Sequence, residues 1–329
     1  MDRRLYAWND VIIEVICHDR ELADRLDHCW RTFFWLMPLR ATSSAAVVSL
    51  QLQPEPVYPP NPSGQKQVWR RDNASVWQTP VGLCLQSSGA SLLIDVERGH
   101  ASGSVTADFW QTPLAEQRDF FMRSLLLLLR RLHIHGLHAN GISTDDRGLL
   151  LIGPSGSGKT TLTLSLRRSG WRALGDDVVA LRQTVDGVIA LALQRGFACT
   201  EQTVAFFPDL SLSTGEATQL DPVRQKQWLA PPTADDEWPN HHCQPRVLLF
   251  PTIAEAAHSR LTPLDATQTM LGLMEQSAAL LVEPRAAARQ MAILRQLGRQ
   301  AQSYRLALGR DVYADPPAVA ALLGSLGCY

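Results

Sequence analysis

The chain has 329 residues, enough for two domains with separate cores, and its 45% apolar and 19% charged content describes an ordinary globular protein rather than a disordered or fibrous one. A net charge of −1 offers no basic field, which argues against binding to nucleic acid or to an anionic membrane surface. Six scattered cysteines without a C-x-x-C pair exclude a disulfide framework and point to a reducing, cytoplasmic setting.

The N-terminus, Met1-Asp2-Arg3-Arg4-Leu5, lacks the apolar core of a signal peptide. Residues 1–53 alternate like an α/β module. A strand is expected over Val11 to Ile16, a helix over Asp19 to Leu36, and a strand over Ala45 to Leu52. The proline-rich stretch from Pro54 to Gly64 reads as a loop or linker. Short apolar runs between Gln67 and Val105, separated by turn residues, predict an antiparallel meander. Pro113 to Leu132 predicts a long buried helix. Its apolar run, Leu125 to Leu129, is too short to span a bilayer. These segments divide the chain into an N-terminal α/β domain, residues 1–115, with a substrate- or partner-binding role, and a larger domain, residues 116–329.

Gly153-Pro154-Ser155-Gly156-Ser157-Gly158-Lys159-Thr160 fits G-x-x-x-x-G-K-[ST], the loop that wraps a nucleotide polyphosphate. Leu149 to Ile152 before it suits a buried strand, and Thr161 to Arg168 after it a helix stopped at Ser169-Gly170. Glycines let successive N–H groups converge on phosphate oxygens, and a helix N-terminus adds partial positive charge. Gly153, Ser155, Gly156, Ser157, Gly158, Lys159, Thr160 and Thr161 are therefore the candidate nucleotide contacts. Lys159 is expected to reach the β/γ-phosphates and Thr160 to ligate Mg²⁺. Trp171 to Leu174 and Val178 to Leu181 predict strands on either side of Gly175-Asp176-Asp177, with Val188 to Leu193 returning across Asp186-Gly187. Residues 208–245 read as a long mobile segment, a substrate loop or lid, and Val247 to Phe250 as a buried strand. The C-terminal third reads as helical, with start signals at Asp265/Gln268, Pro284 and Asp315-Pro316.

Asp176 and Asp177 lie only 17 and 18 residues past Lys159, behind a run that is not the four aliphatics of an ordinary metal-binding strand. Neighbours in a strand face opposite ways, but at a strand end after a glycine both carboxylates can turn to one site. His138, 21 residues before Lys159, starts the segment expected to pair with the strand before the loop. With His133 and His135 it has a spacing that suits no single strand or helix face for zinc. His241-His242-Cys243, between Pro239 and Pro245, reads as a polar loop. Arg195 and Arg246 are either phosphate clamps or structural arginines.

The three-part arrangement of His138-Ala139, the loop from Leu149 to Thr161, and Gly170 to Val178 resembles the bacterial HPr kinase/phosphorylase family, whose core is similar to phosphoenolpyruvate carboxykinase. The likeness is strongest over residues 130–200. It implies a mixed-sheet α/β (α+β) kinase core in residues 116–329, with ATP and Mg²⁺ as cofactors. It also implies Asp176 as the base that takes the acceptor proton, Asp177 beside it on Mg²⁺, and His138 near the phosphates. The family's Glu-Ile-Arg-Gly-Leu-Gly signature is absent. Leu193-Gln194-Arg195-Gly196-Phe197 stands in its place, with Glu201 the nearest acid. The chain in this respect resembles the divergent branch that includes peptide-modifying serine kinases such as lasso-peptide precursor kinases. That implies a serine of a peptide or small protein as acceptor, and self-association stays open. The alternatives are a small-molecule hydroxyl kinase and a non-catalytic nucleotide-binding switch or accessory protein.

Overall fold

Alternation of buried and open positions, as in Val11, Ile13, Val15 and Cys17 against Ile12, Glu14 and Ile16, makes sheets the framework of this chain. The computed structural model describes residues 1–39, 48–54, 66–71, 73–144, 147–207, 218–229, 242–277 and 284–326. It divides into two compact units: Met1–His135 with Val282–Ala286, and Gly136–Leu281 with Ala287–Tyr329. The architecture is mixed α+β, built on large mixed sheets.

The first unit contains strands β1 (Asp2–Trp8), β2 (Val11–Cys17), β3 (Met37–Leu39), β4 (Val48–Gln53), β5 (Lys66–Arg71), β6 (Ala74–Thr79), β7 (Gly82–Ser87), β8 (Ala90–Asp95) and β9 (His100–Val105). Its helices are α1 (Arg20–Phe33) and α2 (Leu114–Leu129). Asp19 caps α1 by accepting from the Leu22 N–H. The expected α/β segment and the expected meander are one nine-stranded sheet, ordered β3-β1-β2-β4-β9-β8-β7-β6-β5. They merge because β4 pairs in parallel with both β2 and β9, a long-range choice that local periodicity does not encode. The Val11–Val15 face is part of the core with Trp30 of α1 and Phe121 of α2, whose rings meet edge to face. The expected loop from Pro54 to Gly64 lies outside the described residues from position 55 on.

The second unit is ordered around β10 (Ile134–Leu137), β11 (Ala139–Thr144), β12 (Arg147–Ile152), β13 (Arg172–Gly175), β14 (Val179–Thr184) and β15 (Gly187–Ala192), with α3 (Lys159–Arg168) between β12 and β13. After β16 (Phe197–Thr200) and α4 (Glu201–Phe206) come β17 (Thr218–Asp221), β18 (Lys226–Leu229), β19 (His242–Ile253) and β20 (Arg260–Pro263). The chain then continues through α5 (Ala266–Glu275), α6 (Pro284–Gln300), β21 (Gln302–Leu308), α7 (Asp311–Ala314) and α8 (Pro316–Gly324). The principal path is β10-β14-β15-β19-β12-β11-β13. Strand β19 pairs with β15 at its start, in parallel with β12 along its middle, and in parallel with β21 from Val247 onward. Leu149 to Ile152 are all buried, as expected of a central strand covered on both faces. Leu162 and Leu166 of α3 pack on Leu149, Leu151, Leu249 and Leu308.

Three expectations change here. Within 208–245, residues 218–229 hold the hairpin β17–β18, which joins β16 in a three-stranded sheet; 208–217 and 230–241 lie outside the described residues. His242 and Cys243 open β19 instead of lying in a loop, while His241 is not described. The C-terminal third is not wholly helical. Strand β21 runs beside β19, and its one-face alternation of Tyr304, Leu306 and Leu308 toward the core is too brief to stand out beside the helices. The capping box at Asp265/Gln268 and the Asp315 cap are present.

Candidate functional site

The centre is built where β12 ends and α3 begins. Gly156 (φ 85°) and Gly158 (φ 94°) take left-handed conformations that fold the loop under the helix terminus, and Gly158 is the helix N-cap. Ser155 and Gly156 are exposed, Ser157, Thr160 and Thr161 half-buried, and Gly153 buried at the loop's root. Ser157 N–H donates to Pro154 O at 3.3 Å. Lys159, only 6% exposed, folds back so that Nζ donates to Gly153 O (2.7 Å) and Pro154 O (2.9 Å). Its burial lowers the ammonium pKa, opposed by the negative charges of Asp177 and Asp176.

Asp176 and Asp177 follow β13, and they do part company. Asp176 is 2% exposed, and its carboxylate accepts three hydrogen bonds. Oδ1 accepts from Thr160 Oγ1 (2.8 Å) and Asn140 Nδ2 (2.7 Å); Oδ2 accepts from Ala198 N of β16 (2.9 Å). Burial pushes this carboxyl up and repulsion from Asp177 adds to that, while the three donors pull it down; the net direction is up. Asp177 takes φ 68°, and its carboxylate is 37% exposed, with Oδ1 2.9 Å from His138 Nε2. The backbone of His138 is itself held, its N–H donating to Gln276 O at the end of α5 (3.2 Å). So His138, Asp176, Asp177, Lys159 and Thr160 come together around one loop.

Asn140 is the residue that sequence reading missed. It is fully buried on β11 and bonds to Asp176, to Thr163 Oγ1 (3.1 Å) and to the Asp177 N–H (3.0 Å). Its only signal was position, two residues past His138 on a strand otherwise apolar or small. Lys226 of β18, in a segment expected to be mobile, adds slightly through its charge to the lowering of the Lys159 ammonium pKa.

The remaining candidates are dispersed. Arg246 donates to Gln244 Oε1 and sits beside Gly148 and Leu149, at the opposite end of β12 from the loop, so it is no phosphate clamp. Gln194 is buried, and its backbone carbonyl lies 2.9 Å from where a Cβ on Gly175 would stand, so it shapes the turn before Asp176. Glu201 is exposed at the first turn of α4. Among the described residues no group of three His, Cys, Asp or Glu side chains is gathered as a metal cage. Thr160 Oγ1, half-buried and oriented by its bond to Asp176, nevertheless stands as a hard oxygen donor at the helix N-terminus. One protein oxygen fits Mg²⁺, which completes its shell with phosphate and water. No described helix is long and apolar enough to cross a membrane.

No protein-family model matches the chain, and no curated protein matches it. Among solved structures it is similar to the HPr(Ser) kinase/phosphatase from Coxiella burnetii, with 15% identity over 58% of this chain and 88% of that one and a TM-score of 0.28. An overlay that loose identifies no equivalent residues. Function is read from the chain's own geometry.

Proposed function

We propose that the second unit is a phosphotransferase that binds ATP with Mg²⁺ on the loop Gly153–Thr160 and passes the γ-phosphoryl group to a hydroxyl. The observation that carries this is the division of labour in the Asp176-Asp177 step. Asp176 faces inward onto Thr160, while Asp177 faces outward beside His138. Holding a nucleotide needs the first arrangement; the second has no part in it, which favours transfer over a non-catalytic switch.

In this reading the loop amides and Lys159 bind the phosphates. Asp176 orients Thr160, whose hydroxyl oxygen would hold Mg²⁺, which when bound neutralises charge on the β- and γ-oxygens. Asp177 takes the proton of the acceptor hydroxyl as its oxygen bonds to the γ-phosphorus, and the electron pair of the breaking P–O bond leaves with ADP. His138 holds the Asp177 carboxylate in place and can share that proton. This exchanges the roles that the family resemblance implies for the two aspartates. Asp176 has both oxygens occupied and almost no exposure, whereas the Asp177 carboxylate is 37% exposed at the surface that an incoming hydroxyl would reach. The acceptor class is a serine of a peptide or small protein, as the divergent branch of that family suggests.

The test is incubation with γ-labelled ATP, Mg²⁺ and serine-containing peptides, read by label transfer and mass spectrometry. Lys159→Ala should weaken MgATP binding about a hundredfold, two or three charge-assisted bonds being lost. A wild-type chain that shows no MgATP binding by calorimetry sinks the reading. Binding without transfer to any hydroxyl, water included, would leave it a nucleotide-binding protein only.

A further inference from the structure

We infer that Asn140 is a positioning residue that sets the two neighbouring carboxylates to their separate tasks, one toward Thr160 and one toward His138. The inference builds on the phosphotransferase reading for the consequence of that positioning, but not for the positioning itself.

The problem Asn140 solves is geometric. Successive residues beyond a strand end have no ladder to fix them, and Asp177 adopts a left-handed φ of 68° that an L side chain seldom takes. Something must hold its backbone there. Asn140 Oδ1 accepts the Asp177 N–H at 3.0 Å, and Val178 N–H closes the turn onto Asp176 O at 2.7 Å. From the same amide, Nδ2 donates one hydrogen to Asp176 Oδ1 at 2.7 Å and is 3.1 Å from Thr163 Oγ1, which in turn donates to Lys159 O at 2.9 Å. One planar group therefore ties the turn, the buried carboxylate and the first turn of α3.

The orientation of that amide is forced. A backbone N–H can only donate, so the atom facing Asp177 must be the oxygen, and the nitrogen then faces a carboxylate that can only accept. Aspartate at this position would keep the acceptor and lose the donor, placing oxygen against oxygen at Asp176. Alanine would lose both. Asn140 is also rigidly carried: β11 is paired with β12 on one side and with β13 on the other, so the amide is fixed relative to the strand that leads into the turn.

The test compares Asn140→Ala and Asn140→Asp with wild type by amide hydrogen exchange, MgATP binding and phosphate release from MgATP with water as acceptor. In N140A the Asp177 amide should exchange at least about tenfold faster while the β11–β12 ladder amides stay as they were. In N140D it should remain protected, because the acceptor oxygen is kept. The Ala198 amide, held by the Asp176 that N140D displaces, should be released instead. Phosphate release should fall at least about thirtyfold in both variants, with MgATP affinity within about threefold of wild type in N140A, where Asp176 keeps its bonds to Thr160 and Ala198. Unchanged Asp177 protection in N140A, or turnover within twofold of wild type in both variants, overturns the inference. If N140A does not fold, N140D decides on the Asp177 and Ala198 amides. A wild type that neither binds nor turns over MgATP defeats the phosphotransferase reading, and the exchange data still decide whether Asn140 holds the turn.

Discussion

The two large sheets each have nine strands, and they collect polar side chains in opposite ways. In the first unit, Ser49 of β4 and His100 of β9 are register partners, with Ser49 Oγ 2.8 Å from His100 Nδ1. Glu14 pairs with Ser49 on one side and Asp95 with His100 on the other. Regular pairing gathers these four residues in a row, side by side and pointing one way. Nothing there converges on a point in space. In the second unit the polar groups sit where regularity fails: at the end of β12, at the left-handed glycines of the loop, and at the left-handed Asp177 after β13. Breaking the alternation turns side chains toward each other. A ladder arranges chemistry in rows, and only the ends of strands can focus it.

That contrast can be broken at its sharpest point first. Asp177→Asn keeps the turn and removes only the partly exposed carboxylate, so phosphoryl transfer should fall about a thousandfold while MgATP affinity changes less than about threefold. Equal loss of both in steady-state kinetics and calorimetry would mean that Asp177 belongs to binding. The next effect is on stability. Leu162→Ala on α3 empties a fully buried position against the β12–β19–β21 face, and should cost about 3 kcal/mol in chemical denaturation. A cost well under 1 kcal/mol would show that the helix carrying Lys159 and Thr160 is not held by this core.

A smaller effect should appear with pH. The folded chain raises the carboxyl of Asp176, so it binds that proton more tightly than the unfolded chain does. The contribution of Asp176 to stability is therefore fully present below the ordinary carboxylate value and is lost as pH rises through the raised one. Without divalent metal, wild type should gain stability relative to Asp176→Asn as pH is lowered from 8 toward 5. A difference that is flat, or of opposite sign, in denaturant titrations would refute the direction of the shift. The smallest effect belongs to the first sheet. Ser49→Ala and His100→Ala, which remove a half-buried pair, should leave MgATP turnover within about twofold and cost no more than about 1 kcal/mol. A larger loss of turnover would give the row a functional role that its geometry does not suggest.

Much of the second unit was readable along the chain. The strand, loop and helix from Leu149 to Arg168 are local features, each set by a short pattern of apolar residues, glycines and a lysine, and the hairpin across Asp186-Gly187 follows from two residues. The sequence likewise pointed to His138 and the paired aspartates, because their short spacings leave one intervening helix and few ways to arrange them. Partner choice was not readable. Whether β4 pairs with β9, or β21 with β19, depends on burial across more than fifty residues, and nothing in a strand of six or seven residues names its neighbour. The division between Asp176 and Asp177 was hidden for a related reason. Two identical side chains side by side differ only in what folds around them. A buried asparagine on one strand, a threonine on a helix and a backbone amide from β16 take the first, while the second is partly exposed beside a histidine. Residue type determined which groups could do chemistry of this kind; the tertiary structure decided which of them is buried and bonded and which is exposed, because hydrogen-bond donors and exposure are supplied by distant segments.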